Sequence, residues 1–303
     1  RVLSATGMLG SGFMESSFER GISLRPHVIG CDGGSTDGGP AYLGAGDRYF
    51  SKEATKRDVR LMMAGRDKLD VPLIIGSCGM AGGDSGVDWM RDILLEIARE
   101  KGYRFRLALV RSEQDKDYLK RRYREGRILP LKPAPPISEE IIDRSAHIVG
   151  VMGHEPIVAA IKGGAQIILC GRATDTSLFA AVPLMKGAGA GPAWHAAKTL
   201  ECGTAATVQR KRPDSIFAWV RDDHFDVEPL DLDSRCTPQS VASHTLYENA
   251  DPFLITEPDG IIDSTGSRYE ALNDRAVRVY GSQFRKSDRI TIKLEGADRK
   301  SVV

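Results

Sequence analysis

Short apolar runs recur up to about residue 210, and most stop at a cluster of glycines. Val2 to Ala5 enters Thr6-Gly-Met-Leu-Gly-Ser-Gly12, and Pro26 to Ile29 enters Gly30-Cys-Asp-Gly-Gly-Ser-Thr-Asp-Gly-Gly-Pro40. Val71 to Ile75 leads to Gly76-Ser-Cys-Gly-Met-Ala-Gly-Gly-Asp84. Ala146 to Val151 leads to Gly153-His-Glu-Pro156, and Gln166 to Cys170 leads to Gly171-Arg-Ala-Thr-Asp175. Tyr103 to Val110 reads as a further strand. Runs this short, bounded by glycine, predict buried strands. Between them the period lengthens. Trp89, Ile93, Leu94 and Ile97 recur at three and four residues within Val87 to Glu100, an amphipathic helix. Phe13 to Arg20, Lys52 to Ala64, Glu139 to Arg144, Thr176 to Met185 and Trp194 to Leu200 also read as helical, and Gly187 to Pro192 as a hinge.

Strand, glycine loop and helix in alternation predict an α/β fold: an open, mostly parallel sheet with glycine-rich strand-to-helix loops. In such sheets the loops at the carboxyl ends of the strands converge on one crevice. The loops near Gly7, Cys31, Gly76, Gly153 and Gly171 should therefore share one side of the sheet. After residue 210 the texture changes to short strand candidates separated by prolines and acids, at Ser215 to Val220, Phe225 to Leu230, Ala276 to Tyr280 and Arg289 to Leu294. The reading is an α/β domain over 1–210, carrying the glycine-loop site, and a smaller strand-rich region over 211–303. Arg1 and the abrupt end after Lys293 to Asp298 predict missing residues on both sides. Arg1 to Gly10 does not read as a signal peptide, because its apolar stretch is short and broken by glycine.

With 42 basic and 41 acidic side chains, the net charge of +1 points to neither nucleic acid nor a membrane surface. The basic run Lys120 to Arg124 reads as a solvated helix face. Five cysteines without a CxxC pair argue against a disulfide framework and for a reducing cytoplasm. Cys31, Cys78 and Cys170 sit at strand ends and read as small core residues.

The chemistry lies in the loops. Asp32, Gly33, Gly34, Ser35, Thr36 and Asp37 offer hydroxyls and carboxylates on a backbone that a ligand can approach, although a tight turn uses the same residues. Ser77, Gly79, Gly82 and Gly83 precede a helix, whose free N–H groups favour phosphate or carboxylate. No lysine completes a phosphate loop, and Gly7, Gly10 and Gly12 lack dinucleotide spacing. Arg172 suits bidentate capture of a carboxylate, with Thr174 and Asp175 beside it as ligand contacts or helix caps. Asp37, His154 and Glu201 are the candidate proton-transfer groups, and Asp32 and His195 are further titratable ones. No metal-ligand spacing is present, so no metal site is assigned; a divalent ion on Asp32, Asp37, His154 and Glu201 stays open.

Three segments, Gly30 to Pro40, Gly163-Gly-Ala-Gln-Ile-Ile-Leu-Cys-Gly-Arg-Ala-Thr-Asp175 and Leu200-Glu-Cys-Gly203, resemble the acyclic terpene utilisation family of bacterial proteins. Lys293-Leu-Glu-Gly-Ala297 resembles a later family segment. The loop at 31–37 departs from the better known form of the family, which leaves room for a substrate other than the terpene acids. The resemblance implies catabolism of acyclic, often branched carboxylic acids or their coenzyme A esters, with no settled reaction. Joined to the loop chemistry, it predicts a lyase (hydratase) or isomerase that moves a proton next to a carbonyl, in a homo-oligomer that needs no cofactor. The alternatives are a non-catalytic binding or scaffold subunit of a catabolic complex, and a metal-dependent hydrolase or lyase.

Overall fold

The computed structural model describes residues 1–34, 40–131, 133, 136–246 and 249–298. Ser35, Thr36 and Asp37 lie outside the described residues. In chain order the elements are β1 (Val2–Ser4), α1 (Glu15–Ser23), β2 (Val28–Asp32), α2 (Pro40–Ala45), α3 (Lys52–Leu69), β3 (Leu73–Gly76), α4 (Asp84–Lys101) and β4 (Leu107–Val110). Then come α5 (Lys116–Arg124), α6 (Glu139–Arg144), β5 (His147–Gly150), α7 (Glu155–Lys162), β6 (Ile167–Cys170), α8 (Asp175–Met185) and α9 (Ala190–Leu200). The rest is β7 (Ile216–Val220), β8 (His224–Pro229), α10 (Pro238–Thr245), β9 (Leu254–Glu257), β10 (Gly260–Asp263), β11 (Arg268–Ala271), β12 (Val277–Tyr280), β13 (Gln283–Lys286) and β14 (Leu294–Ala297).

The main sheet runs β11–β12–β8–β7–β1–β2–β3–β6–β4. Its strands from the first 210 residues pair in parallel, as the alternating pattern predicts. The strands from β7 onward join it antiparallel, with β7 paired directly to β1. A smaller antiparallel sheet, β13–β10–β9, accounts for more of the strand-rich region. Among the described residues no helix is long and apolar enough to cross a membrane.

Strand side chains alternate between the two faces, and so does the core. Leu3, Ile29, Leu73, Ile75, Ile167 and Leu169 pack on one face with Phe18, Val59, Met63, Val87, Met90 and Ile97 from α1, α3 and α4. Val2, Val28, Ile74, Ile168 and Cys170 pack on the other with Leu178, Phe179, Trp194 and Leu200 from α8 and α9. The neighbours β3 and β6 therefore send their chains to opposite faces. At their carboxyl ends the loops after the two strands are bonded to each other, Ser77 N to the Gly171 carbonyl and Arg172 N to the Gly82 carbonyl.

Two local expectations change. Residues 146–151 are not a strand of the main sheet, since β5 pairs with β14 in a separate ladder. The supposed hinge at 187–192 gives its last residues to the first turn of α9, where the fixed φ of Pro192 suits a helix start. The basic run on α5 is solvated as expected, with Lys120 paired to Asp143 and Arg124 to Glu139.

Phe179 is fully buried between sheet and helix, and a Cβ on Gly30 would meet its ring at 2.7 Å. Phe179→Ala should cost about 3–5 kcal/mol, the range for an aromatic cavity in a core, measured as a lowered midpoint in urea unfolding.

Candidate functional site

A cavity of about 720 Å³ opens at the carboxyl ends of β1 and β2. Gly7, Met8 and Ser11 come from the loop after β1, Asp32 from the end of β2, and Asp175 from the start of α8. Glu201, Cys202, Thr204 and Ala205 follow α9, and Arg210, Pro213, Ser240, Ser243 and His244 complete the lining. The Glu201–Gly203 segment sits tightly on the first loop. A Cβ on Gly7 would fall 2.6 Å from the Cys202 carbonyl oxygen, and one on Gly203, which adopts φ +57, would fall 2.5 Å from Gly7 N. A side chain at either position would push the cavity wall away. A second cavity, of about 740 Å³, lies at the amino ends of the strands beside Arg1, His27, Lys186 and Arg221. None of the strand-to-helix loops reaches it.

The first cavity is lined by carboxyl groups taken out of water. Asp32 is buried, accepts a bond from Gly34 N at 3.2 Å, and leaves Oδ1 without a partner among the described residues. Burial first, then the negative charge of Asp175, pushes its pKa well above the usual carboxylate range. Glu201 is buried and takes a hydrogen bond from Lys198 Nζ, one helical turn earlier. Burial raises its pKa to about 8 against the opposing pull of Lys198. Behind them Glu257 accepts bonds from Thr176 Oγ1 at 2.6 Å and Thr174 Oγ1 at 3.0 Å, and burial lifts its pKa to about 7. His244 on the lining is held to about 4 by burial and the nearby Lys198, so its imidazole is neutral at neutral pH.

Among the described residues, Asp32, Asp175 and Glu201 of those singled out in the sequence line this cavity. Arg172 is buried just behind it. Its Nε donates to Glu295 Oε2 at 2.9 Å, and its Nη1 donates to Ser77 Oγ at 3.0 Å and the Ala173 carbonyl at 3.1 Å. Thr174 stands at the N-cap of α8 but points its hydroxyl to Glu257. Gly33, Gly34 and Gly82 are places where backbones cross: a Cβ there would lie 2.5 Å from Gly76 O, 2.2 Å from Met80 Cα and 2.3 Å from Arg172 N. Gly79 packs against Gly86, and Gly83 is the N-cap of α4. The first free amide of α4, Asp84 N, is taken by Glu113 Oε1 at 3.0 Å, so the anion at this helix end is the chain's own. His154 is away from the cavity, with its ring edge-on to Trp194 at 5.4 Å. His195 is buried between Ser282 and Thr245. Cys31, Cys78 and Cys170 are buried thiols raised by desolvation, the core role expected of them.

Lys198, Arg210, His244 and Glu257 escaped the sequence reading. Lys198 and Glu201 are spaced i, i+3 on an evident helix, which would have joined them. Glu257 lies 81 residues from Thr176 and carries no local signal.

Residues 80–207 match the family model described as acyclic terpene utilisation family protein AtuA. The match confirms the resemblance over the segment from the loop after β3 through α9 to Glu201–Gly203, which is less than half of the chain. The AtuA-matching segment thus supplies Asp175, Glu201, Cys202, Thr204 and Ala205 of the cavity lining. No curated protein and no solved structure matches the chain.

Two measurements follow from this geometry. Arg172→Met leaves Glu295 to Lys293 alone and Ser77 Oγ without its guanidinium partner, and should cost about 1–3 kcal/mol in urea unfolding. The second concerns pH. Glu201 has a folded pKa raised from 4.5 to about 8, so its contribution to stability is full below the unfolded value and is lost as pH rises through 8. Glu201→Gln should remove that part of the slope. The wild-type minus variant difference in unfolding free energy should fall steadily between pH 5 and pH 8, and a flat difference would contradict the burial assigned to Glu201.

Proposed function

We propose that the protein is an enzyme of acyclic carboxylate catabolism, acting on a small, branched acid or its coenzyme A ester by moving a proton at the carbon next to the carbonyl. The observation that carries this reading is Glu201: a buried carboxyl with a pKa of about 8, on the wall of a cavity large enough for such a substrate. A group tuned this close to neutrality exchanges a proton at little cost in either direction. Lys198 beside it balances the carboxylate left behind when the proton departs. Asp32, whose pKa burial raises well above the usual carboxylate range, offers a proton to a substrate oxygen beside Oδ1, which has no partner among the described residues. The neutral His244 and Thr204 add polar contacts, and Arg210 at the exposed rim meets the carboxylate or phosphate of the substrate. Hydration, dehydration and double-bond isomerisation all share this proton transfer. The family match over 80–207 supports the substrate class.

Solvent exchange tests the step directly. Branched acids and their coenzyme A esters are incubated with the protein in D2O, and deuterium at the carbon next to the carbonyl is followed by NMR. Exchange is expected for at least one ester. Glu201→Gln should slow it by about 10²–10⁴-fold while leaving the ligand-induced rise in melting temperature in place. Arg210→Ala should weaken binding with a smaller effect on the exchange rate at saturation. A thermal shift without exchange would favour the scaffold reading.

A further inference from the structure

Away from the cavity, three ligand-type side chains converge where α7 begins and the β9–β10 turn reaches it. His154 Nδ1 lies 3.7 Å from Glu155 Oε2 and 4.0 Å from Asp259 Oδ2. One donor atom from each residue falls within 4.8 Å of the others. These separations are too long for hydrogen bonds. His154 Nδ1 and Asp259 Oδ1 are both buried without a hydrogen-bond partner among the described residues. The Asp259 side chain is only 10% exposed, so its partnerless Oδ1 carries a desolvation cost that the charge of His154 and its own backbone N–H offset only in part. Lys286 acts on Asp259 through its charge alone.

The spacing fits a cation. Zinc bonds of about 2.0–2.2 Å to nitrogen and oxygen place tetrahedral ligand atoms about 3.4 Å apart. The His154 distances of 3.7 and 4.0 Å exceed that by less than an ångström, and the Glu155 and Asp259 oxygens lie within 4.8 Å of each other, so side-chain rotation must draw the three ligands together around an ion. Gly153 makes room for the arrangement. A Cβ there would sit 2.5 Å from Glu155 Oε2 and 3.2 Å from Pro258 Cβ, so only glycine lets the carboxylate fold back toward the turn.

We infer that His154, Glu155 and Asp259 form a binding site for a first-row divalent cation of the zinc type, with a fourth position left to water. One imidazole nitrogen and two carboxylates suit zinc over magnesium, which prefers oxygen alone and resists dehydration. The ion would tie the start of α7 to the β9–β10 turn. This site is separate from the proton-transfer cavity and stands whether or not that reading holds.

The test is calorimetric titration of the full chain, first stripped with a chelator, with ZnCl2 and in parallel with MgCl2. Near-stoichiometric zinc binding is expected, with a raised melting temperature and no response to magnesium. His154→Ala and Asp259→Asn should each weaken zinc binding by more than about tenfold, while an exposed control, Asp92→Asn, should not. Circular dichroism verifies that the variants are folded, and Glu155→Gln replaces either one that is not. Zinc binding unaltered in folded variants, or a Kd weaker than about 1 mM for the wild type, overturns the site. Equal binding of magnesium overturns the assignment of the ion.

Discussion

A guanidinium enclosed by protein must find its partners within the protein, and that requirement at Arg172 orders much of this molecule. Its side chain is 8% exposed, yet it gathers Glu295 from β14, Ser77 from the turn after β3 and the carbonyl of Ala173. Its backbone does the same work, donating to Gly82 and accepting from Met152. The loops after β3, β5 and β6 are thereby held at one point. Apart from the bond to its neighbour Ala173, these contacts come from separate stretches of sequence and form only as those stretches come together. The buried pair is not a large source of net stability; its force lies in how poorly any other arrangement would satisfy both charges.

The cavity follows from the same economy of charge. Asp32, Asp175, Glu201 and Glu257 crowd a region served by the cations Arg172 and Lys198. Arg172 and Lys198 are buried there against four carboxyl groups, while Arg210 stands at the solvent-exposed rim. Burial favours the protonated forms, raising Asp32 well above the usual carboxylate range, Glu201 to about 8 and Glu257 to about 7. An interior that stores protons beside a ligand-sized space is suited to proton-transfer chemistry, and it needs no unusual residue type to do so.

The parallel strands were legible because strands covered on both faces are continuously apolar, and β2, β3 and β6 have that pattern. The glycine loops were legible as a group, and Asp32, Asp175 and Glu201 do meet. What each glycine does was not legible. At Gly33, Gly34 and Gly82 the close approach is made by another stretch of backbone, information that composition does not hold. Pairing was the other blind spot. Nothing in 146–151 distinguishes a strand of the main sheet from one that waits for residues 294–297. Lys198 was hidden by attention to histidines and acids, and Glu257 by its distance along the chain.

The place of β1 has a consequence for how the chain reaches this state. It is three residues long, and it lies between β2 in parallel and β7 in antiparallel pairing. One of its ladders closes over some twenty-six residues and the other over more than two hundred, as in Leu3 with Ile29 and with Phe217. Loop-closure entropy delays the second contact. Until β7 arrives, β1 is a short apolar edge with unpaired backbone groups, open to adhesion by another chain. The antiparallel strands thus act as the protective cover of the parallel ones, and the time before they dock is the interval in which the growing chain is most exposed to aggregation.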